Sequence, residues 1–271
     1  MAVTLHFRDG TTVPVEVDAV TPTSLLGKST AEIERLLIQH GNRRVALAEL
    51  FRVAGDPADE QLTFVGDLSG VHGIGMNLDR GTVRVEGHAG RHVGSEMTAG
   101  EIHVFGNAGD WLGGEMHGGL IDVHGDAGDL VGSAYRGSAR GMTGGTLLVR
   151  GNAGRELGLS MRRGLIAVGG NTGDFPGLNM IAGSILVFGT TGRSAAAGMH
   201  RGTVAVFGKP PTLPGTFRSG GACTVRFLRL YFAELRRLGF PVPAELDRAV
   251  MQIFSGDLLT VGKGEVLTRA D

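Results

Sequence analysis

Along the middle of the chain, apolar residues recur in pairs two apart: Ile102/Val104, Ile121/Val123, Leu147/Val149, Ile166/Val168, Ile185/Val187 and Val204/Val206. Residues two apart point to one face of a strand, and β-branched side chains favour strands. The pairs therefore predict six short strands, each burying one face. A looser copy ends in Val83/Val85. Successive pairs lie 19 residues apart, apart from one gap of 26 between Ile121 and Leu147.

Glycine and methionine mark the rest of each unit. Counting from Gly87, Gly106, Gly125, Gly151, Gly170 and Gly189, with closure at Gly208, glycine recurs three and thirteen residues on, the second shifted by the extra seven residues to Gly145 in the long unit. It also recurs seven residues on, at Gly94, Gly113, Gly132, Gly158 and Gly177, with Ala196 the one departure. Methionine holds the place before the strand: Met97, Met116, Met142, Met161, Met180 and Met199. Glycine supplies corners with positive φ or with close backbone approach. A single such unit cannot bury its apolar face; stacked in register, the units can. The expected fold is mainly β: a right-handed parallel β-helix, with the hand taken from the rule for parallel crossovers. About seven coils at about 4.8 Å each would make a rod about 30–35 Å long.

The position between the two core residues should point outward. It reads His103 and Asp122 early, then Leu148, Ala167, Leu186 and Ala205. The outer face thus turns apolar along the rod and calls for a cover, either the chain's own ends or a partner. Both ends are candidates. Residues 1–63 read as a small α/β cap: a strand pair, a helix near 30–40 opened by a Ser29/Glu32 capping box, then VALAELFRV. Residues 64–208 are the repeat block, and 209–271 hold a linker (PPTLPGTF), an amphipathic helix over 226–238 and a tail. Gly239 and Pro241 stop that helix.

Composition narrows the function. Glycine supplies 47 of 271 residues, which the repeat explains without low complexity. The net charge of −1 gives no bulk signal for nucleic acid or a membrane surface, and no run reaches a membrane helix. The opening MAVTLHFRDG lacks a signal-peptide pattern, and the single Cys223 suits a reducing compartment. A cytoplasmic protein is expected.

Candidate chemistry is sparse. The methionine ladder reads as apolar filler, since soft-metal sites need clustered thiolates or imidazoles. His88 and His92 stand four apart, but in a glycine-broken segment, so they are weak metal ligands. GKSTAEIERLL has Pro22 where a phosphate loop needs glycine. Cys223 has no histidine near in sequence and reads as a structural thiol. The seven-residue insertion, which lies between Gly132 and Met142 in SAYRGSAR, is the best contact candidate, because solenoid insertions bulge from one face. It puts Tyr135, Arg136 and Arg140 at the surface; with Leu148 and Leu186 on the outer stripe, these are the expected partner contacts.

The Gly-x-x-Gly-x-x-x-Gly repeat resembles the C-terminal β-helix domain of glutamate synthase large subunits. With its flanks LAELFRVAGD (47–56) and FSGDLLTVGKGEVL (254–267), the chain resembles, over nearly its full length, the C-type subunits of the formylmethanofuran dehydrogenase family. The resemblance implies a non-catalytic scaffold, with the A, B and D sister subunits carrying the chemistry. In the bacterial branch that chemistry is formyl transfer from formyl-tetrahydromethanopterin to a methanofuran analogue, then hydrolysis to formate, with zinc in another subunit. In the methanogen branch it is molybdenum- or tungsten-dependent CO2 reduction with iron–sulfur clusters. Three lysines against 23 arginines point to a GC-rich bacterial genome and so to the first branch. From a different class, a stand-alone enzyme or ligand-binding β-helix with a site on its flank remains the rival reading.

Overall fold

The computed structural model describes residues 2–8 and 11–270. The protein is mainly β. Each apolar pair lies on a short strand, and the strands Thr82–Glu86, Glu101–Val104, Leu120–Val123, Thr146–Val149, Leu165–Val168, Ser184–Val187 and Arg201–Val206 pair in parallel, in sequence order. The register is constant: Ile102, Ile121, Leu147, Ile166, Ile185 and Val204 stand side by side. The insertion between Gly132 and Met142 is therefore looped out without a slip, as a one-residue slip would turn the apolar pair outward. A second line of parallel bridges, Leu68–Ala89–Ala108–Ala127–Ala153–Thr172, ties the repeats together elsewhere.

All six ladder methionines are fully buried. Their partners are the glycines thirteen residues into the following repeat. A Cβ on Gly119 would sit 2.5 Å from the Met97 methyl, and one on Gly145 would sit 2.6 Å from that of Met116. The methionine of one layer thus fills the space that glycine leaves in the next. The glycines seven residues in serve similarly: a Cβ on Gly158 would lie 2.6 Å from Cδ1 of Ile185. Ala196 takes this corner at φ 62°, close to the 71° of Gly158 and the 73° of Gly177. The strand beside it offers Val266, just as Gly177 meets Val204, where the layers before those offer isoleucine or leucine; the shorter side chain leaves room for the methyl. A further core ladder, Val93, Leu112, Val131 and Leu157, is fully buried and lies outside the pattern read from the sequence.

Both chain ends join the stack. At the start, Val3–Phe7 lies between Gln61–Val65, parallel, and Phe51–Ala54, antiparallel. It does not pair with Val15–Glu16, which belongs to a four-stranded sheet with Leu37–His40, Arg43–Ala46 and Val71–His72. The expected strand pair is therefore split between two sheets. The helix expected over 30–40 is only Thr30–Glu34, opened by the Ser29/Glu32 capping box. Residues 37–40 instead form one arm of a hairpin that turns at Gly41-Asn42, where His40 faces Arg43. Gly-Asn is a hairpin turn signal, and it overrides the helical pattern.

At the far end, Lys263–Arg269 extends the parallel stack, with Gly264 beside Gly202 and Val266 beside Val204. Val250–Gly256 and Arg218–Thr224 follow as antiparallel strands. The stretch expected as a simple linker also plugs this end, since Leu213 and Phe217 pack against the core. Cys223 lies on the edge strand and is exposed, so the expectation of a structural thiol is not met.

The helix Leu228–Arg237 lies over the apolar outer stripe. Leu228, Phe232 and Leu235, with Phe240, pack on Leu148, Ala167, Leu186 and Ala205. Leu148 and Leu186 are fully buried here, which corrects their assignment as partner contacts: the chain's own helix is the cover. Burying such leucines removes about 1.5–3 kcal/mol each of exposure cost.

Candidate functional site

Chemistry-bearing side chains gather at the corner that carries the insertion. Five residues into each repeat the backbone is left-handed, at His92 (φ 65°), Trp111 (φ 62°) and Leu130 (φ 65°). This projects His92 and Trp111 from neighbouring layers on the same side. Tyr135, on the insertion, lies against both. Its ring stacks on Trp111 at 4.7 Å between centroids and 26° between planes. Its hydroxyl shares a 3.0 Å hydrogen bond with Nδ1 of His92. Its backbone N–H donates to Glu115 Oε1 at 2.9 Å.

Below the rings, buried Ser95 donates to the Trp111 carbonyl at 3.1 Å, and buried Ser133 donates to the Glu156 carbonyl at 2.7 Å. Burial pushes the Tyr135 phenol up, so the hydroxyl stays protonated. Burial, helped by Arg91, holds His92 below the ordinary histidine value. Glu16 and Asp110 pull it the other way by less. At neutral pH the imidazole is therefore neutral and can accept or donate through Nδ1.

The aromatic wall separates two clefts. One, of about 450 Å³, is lined by Trp111, Tyr135, Arg136, Asp129, Arg155 and Ser160 among others. Another, of about 390 Å³, has Glu16, Asp18, His72, Arg91, His92 and Tyr135 on its walls. Arg155 is bound to Asp129 by a 2.9 Å ion pair, so it frames the first cleft in a fixed position. Arg136 and Arg140 are exposed and have no ion pair among the described residues.

His88 does not join His92. Its Nδ1 accepts the Asn107 N–H at 3.0 Å, the first rung of a polar ladder. Asn107, Asp126, Asn152 and Asn171 each accept a backbone N–H from the following layer in turn. The two histidines that sequence spacing put together thus have different tasks. Among the described residues no three His, Cys, Asp or Glu side chains come close enough to hold a metal ion. No helix of the described residues is long and apolar enough to cross a membrane. What sequence reasoning missed is the link across 43 residues from His92 to Tyr135, which only stacking reveals.

A repeat stack with parallel strands and glycine corners defines a structural class rather than a reaction. The chain belongs to the GXGXG motif family, whose pattern matches residues 65–217. It is 40% identical over 87 residues to the C subunit of the tungsten-containing formylmethanofuran dehydrogenase 2 of Methanothermobacter thermautotrophicus. It is 38% identical over 90 residues to the C subunit of the formyltransferase/hydrolase complex Fhc of Methylorubrum extorquens. These matches span 31% and 33% of this chain and 32% and 34% of those proteins, about a third of the curated relatives' length. The fold agreement is far broader. A chain of the crystal structure of the formyltransferase/hydrolase complex FhcABCD from Methylorubrum extorquens, solved with methylofuran, superimposes with a TM-score of 0.91 at 36% identity. That match covers 99% of this chain and 100% of the other. The kinship expected from the repeat and its flanks is borne out.

Proposed function

We propose that this chain is the C-type scaffold subunit of a formyltransferase/hydrolase complex. The observation that carries the reading is the whole-chain match to a chain of FhcABCD, flanks included. In this reading the complex moves a formyl group from formyl-tetrahydromethanopterin to a methanofuran-type coenzyme and releases formate. The A, B and D sister subunits carry the transfer and the zinc-assisted hydrolysis, in the cytoplasm. The stack winds as a right-handed parallel β-helix of about seven coils, capped by residues 1–63 and 209–271. Tyr135, Arg136 and Arg140 form one contact with the assembly. Tyr135 is held rigid by Trp111, and rigid aromatic anchors beside free arginines suit interface centres.

The test is co-production of the tagged chain with the sister subunits from the same cells, followed by formyl-transfer and hydrolysis assays and metal analysis. A stoichiometric complex with both activities, containing zinc, is expected. A chain that purifies alone, or a complex carrying molybdenum or tungsten, overturns it. The second arm covers the dehydrogenase reading, which the 40% local identity to a tungsten enzyme's subunit favours.

A further inference from the structure

We infer that a second surface, at the tail end of the stack, docks a sister subunit through an apolar centre with a cationic rim. The inference rests on the scaffold reading and assigns it a face. Its centre is the turn between the last two strands. Ten large apolar side chains are exposed among the described residues, and three of them, Leu258, Leu259 and Val261, fall within four positions. Leu259 is 80% exposed, the most of the ten.

This turn is held rigid. The buried Asp257 carboxylate accepts the Gly198 N–H and the Leu259 N–H, each at 3.0 Å. Thr260 Oγ1 donates to the Met199 carbonyl at 2.6 Å. The apolar tip is thus anchored to the last full repeat, and little ordering cost remains to be met on binding. A rigid, exposed apolar cluster is the usual core of an interface.

The rim is cationic. Beside Val261 runs a groove of about 470 Å³ whose walls include Arg162, Arg163, Arg201, His200 and Ile181. No carboxylate among the described residues lines it. All three arginines are exposed, and none has an ion pair among the described residues. The three layers before it have Thr98, His117 and Thr143 where Arg162 stands, and Arg80 of the first layer is paired with Glu60, so the unpaired arginines of this corner lie at the tail end of the stack. Arginine forks match carboxylates, and unneutralised charge around an apolar centre selects a partner with the opposite rim. The apolar tip gives a small free anion nothing to bind. The occupant is therefore a folded sister subunit that offers an apolar recess ringed by Asp and Glu.

The test uses the full chain co-produced with its sister subunits. Variants are Leu259→Asp with Val261→Asp, and Arg162→Glu with Arg201→Glu; all four positions are exposed, so the melting temperature should not move. Both pairs should lose one sister subunit on purification, or bind it about tenfold or more weakly. The arginine pair should also flatten the salt dependence of association. If both folded variants assemble as tightly as the wild type, the face is wrong and the scaffold reading stands. If the wild type itself recruits no sister subunit, both fall. A wild-type chain that dimerises with rising concentration, and stops doing so in the Leu259 variant, overturns the assignment in favour of a second copy.

Discussion

Arg150 holds the carboxylate of Asp122 with one side of its guanidinium and the carbonyl of Gly239 with the other. Nε and Nη2 donate to the two Asp122 oxygens at 3.0 and 2.8 Å, and Nη1 donates to the Gly239 carbonyl at 2.8 Å. Asp122 stands on the outer face of the sheet, beside Leu148 of the next layer, and is only 4% exposed. Gly239 follows the covering helix. One guanidinium therefore fixes where the cover stops.

Removing Arg150 should cost more than the bonds it makes. Arg150→Met leaves a buried carboxylate without its cation, and a loss of about 2–3 kcal/mol is expected. Adding Asp122→Asn removes the unpaired charge and should restore part of that loss. Urea unfolding of the two single variants and the double variant measures the coupling. Additive losses would show that the pair is not a unit.

The methionine and glycine ladders make a second coupled pair. Gly145 has φ 90°, and its missing Cβ would strike the Met116 methyl and crowd the Gly119 carbonyl. Gly145→Ala should destabilise by about 3 kcal/mol or more, through both the left-handed backbone and overpacking. Met116→Ala opens a cavity instead, at about 2–5 kcal/mol. In the double variant the clash with the methionine methyl should vanish, while the left-handed backbone strain and the crowding of the Gly119 carbonyl stay. Thermal unfolding of all three reads this out.

These two relationships differ in how far the sequence shows them. Methionine and glycine recur at one spacing, so periodicity alone places them in ladders, although not in contact with each other. Even the last strand is legible in retrospect: Lys263-Gly264-Glu265-Val266 repeats the Gly-x-Val spacing of Arg201-Gly202-Thr203-Val204. The buried ladder Val93, Leu112, Val131, Leu157 escapes a sequence reading because each member stands alone between left-handed residues, with no alternation to betray a strand. Asp122 is visible as an odd polar residue on an outer face that turns apolar. Its partner is not, since Arg150 lies 28 residues on and Gly239 lies 89 further. Leu148 and Leu186 do need cover, but an amphipathic pattern cannot say whether a helix much later in the chain or another chain supplies it.

The single departure from the glycine pattern gives a contrast. Ala196 is left-handed at φ 62° and fully buried. Ala196→Gly relieves about 1 kcal/mol of backbone strain, but loses a buried methyl and adds unfolded-state freedom. The net change should stay within about 0.5 kcal/mol of wild type, because these terms nearly cancel. Gly158→Ala, at φ 71°, places its methyl 2.6 Å from Ile185 Cδ1. It should cost about 2–3 kcal/mol. Equal effects in differential scanning calorimetry would refute the room argued from Val266.

Trp111 is the only tryptophan, so it reports on the aromatic corner alone. Its indole is near-parallel to the His92 ring, at 6.1 Å between centroids and 14° between planes. Burial and Arg91 hold His92 below the unfolded value of about 6.5. The unfolded chain therefore binds a proton before the folded corner does. The corner's stability is complete above about pH 6.5 and is lost as pH falls through the folded value. Protonation of His92 takes away the Nδ1 acceptor and places a cation beside Trp111. Tyr135 must then turn its hydroxyl or leave. Trp111 emission should change on acidification, with a midpoint under about 6.5, while far-ultraviolet dichroism stays constant. His92→Gln should abolish the transition, and Tyr135→Phe should raise its midpoint where the hydroxyl donates to Nδ1 in the neutral form. A transition that survives His92→Gln unchanged would assign the titration to His72, whose ring burial also holds low.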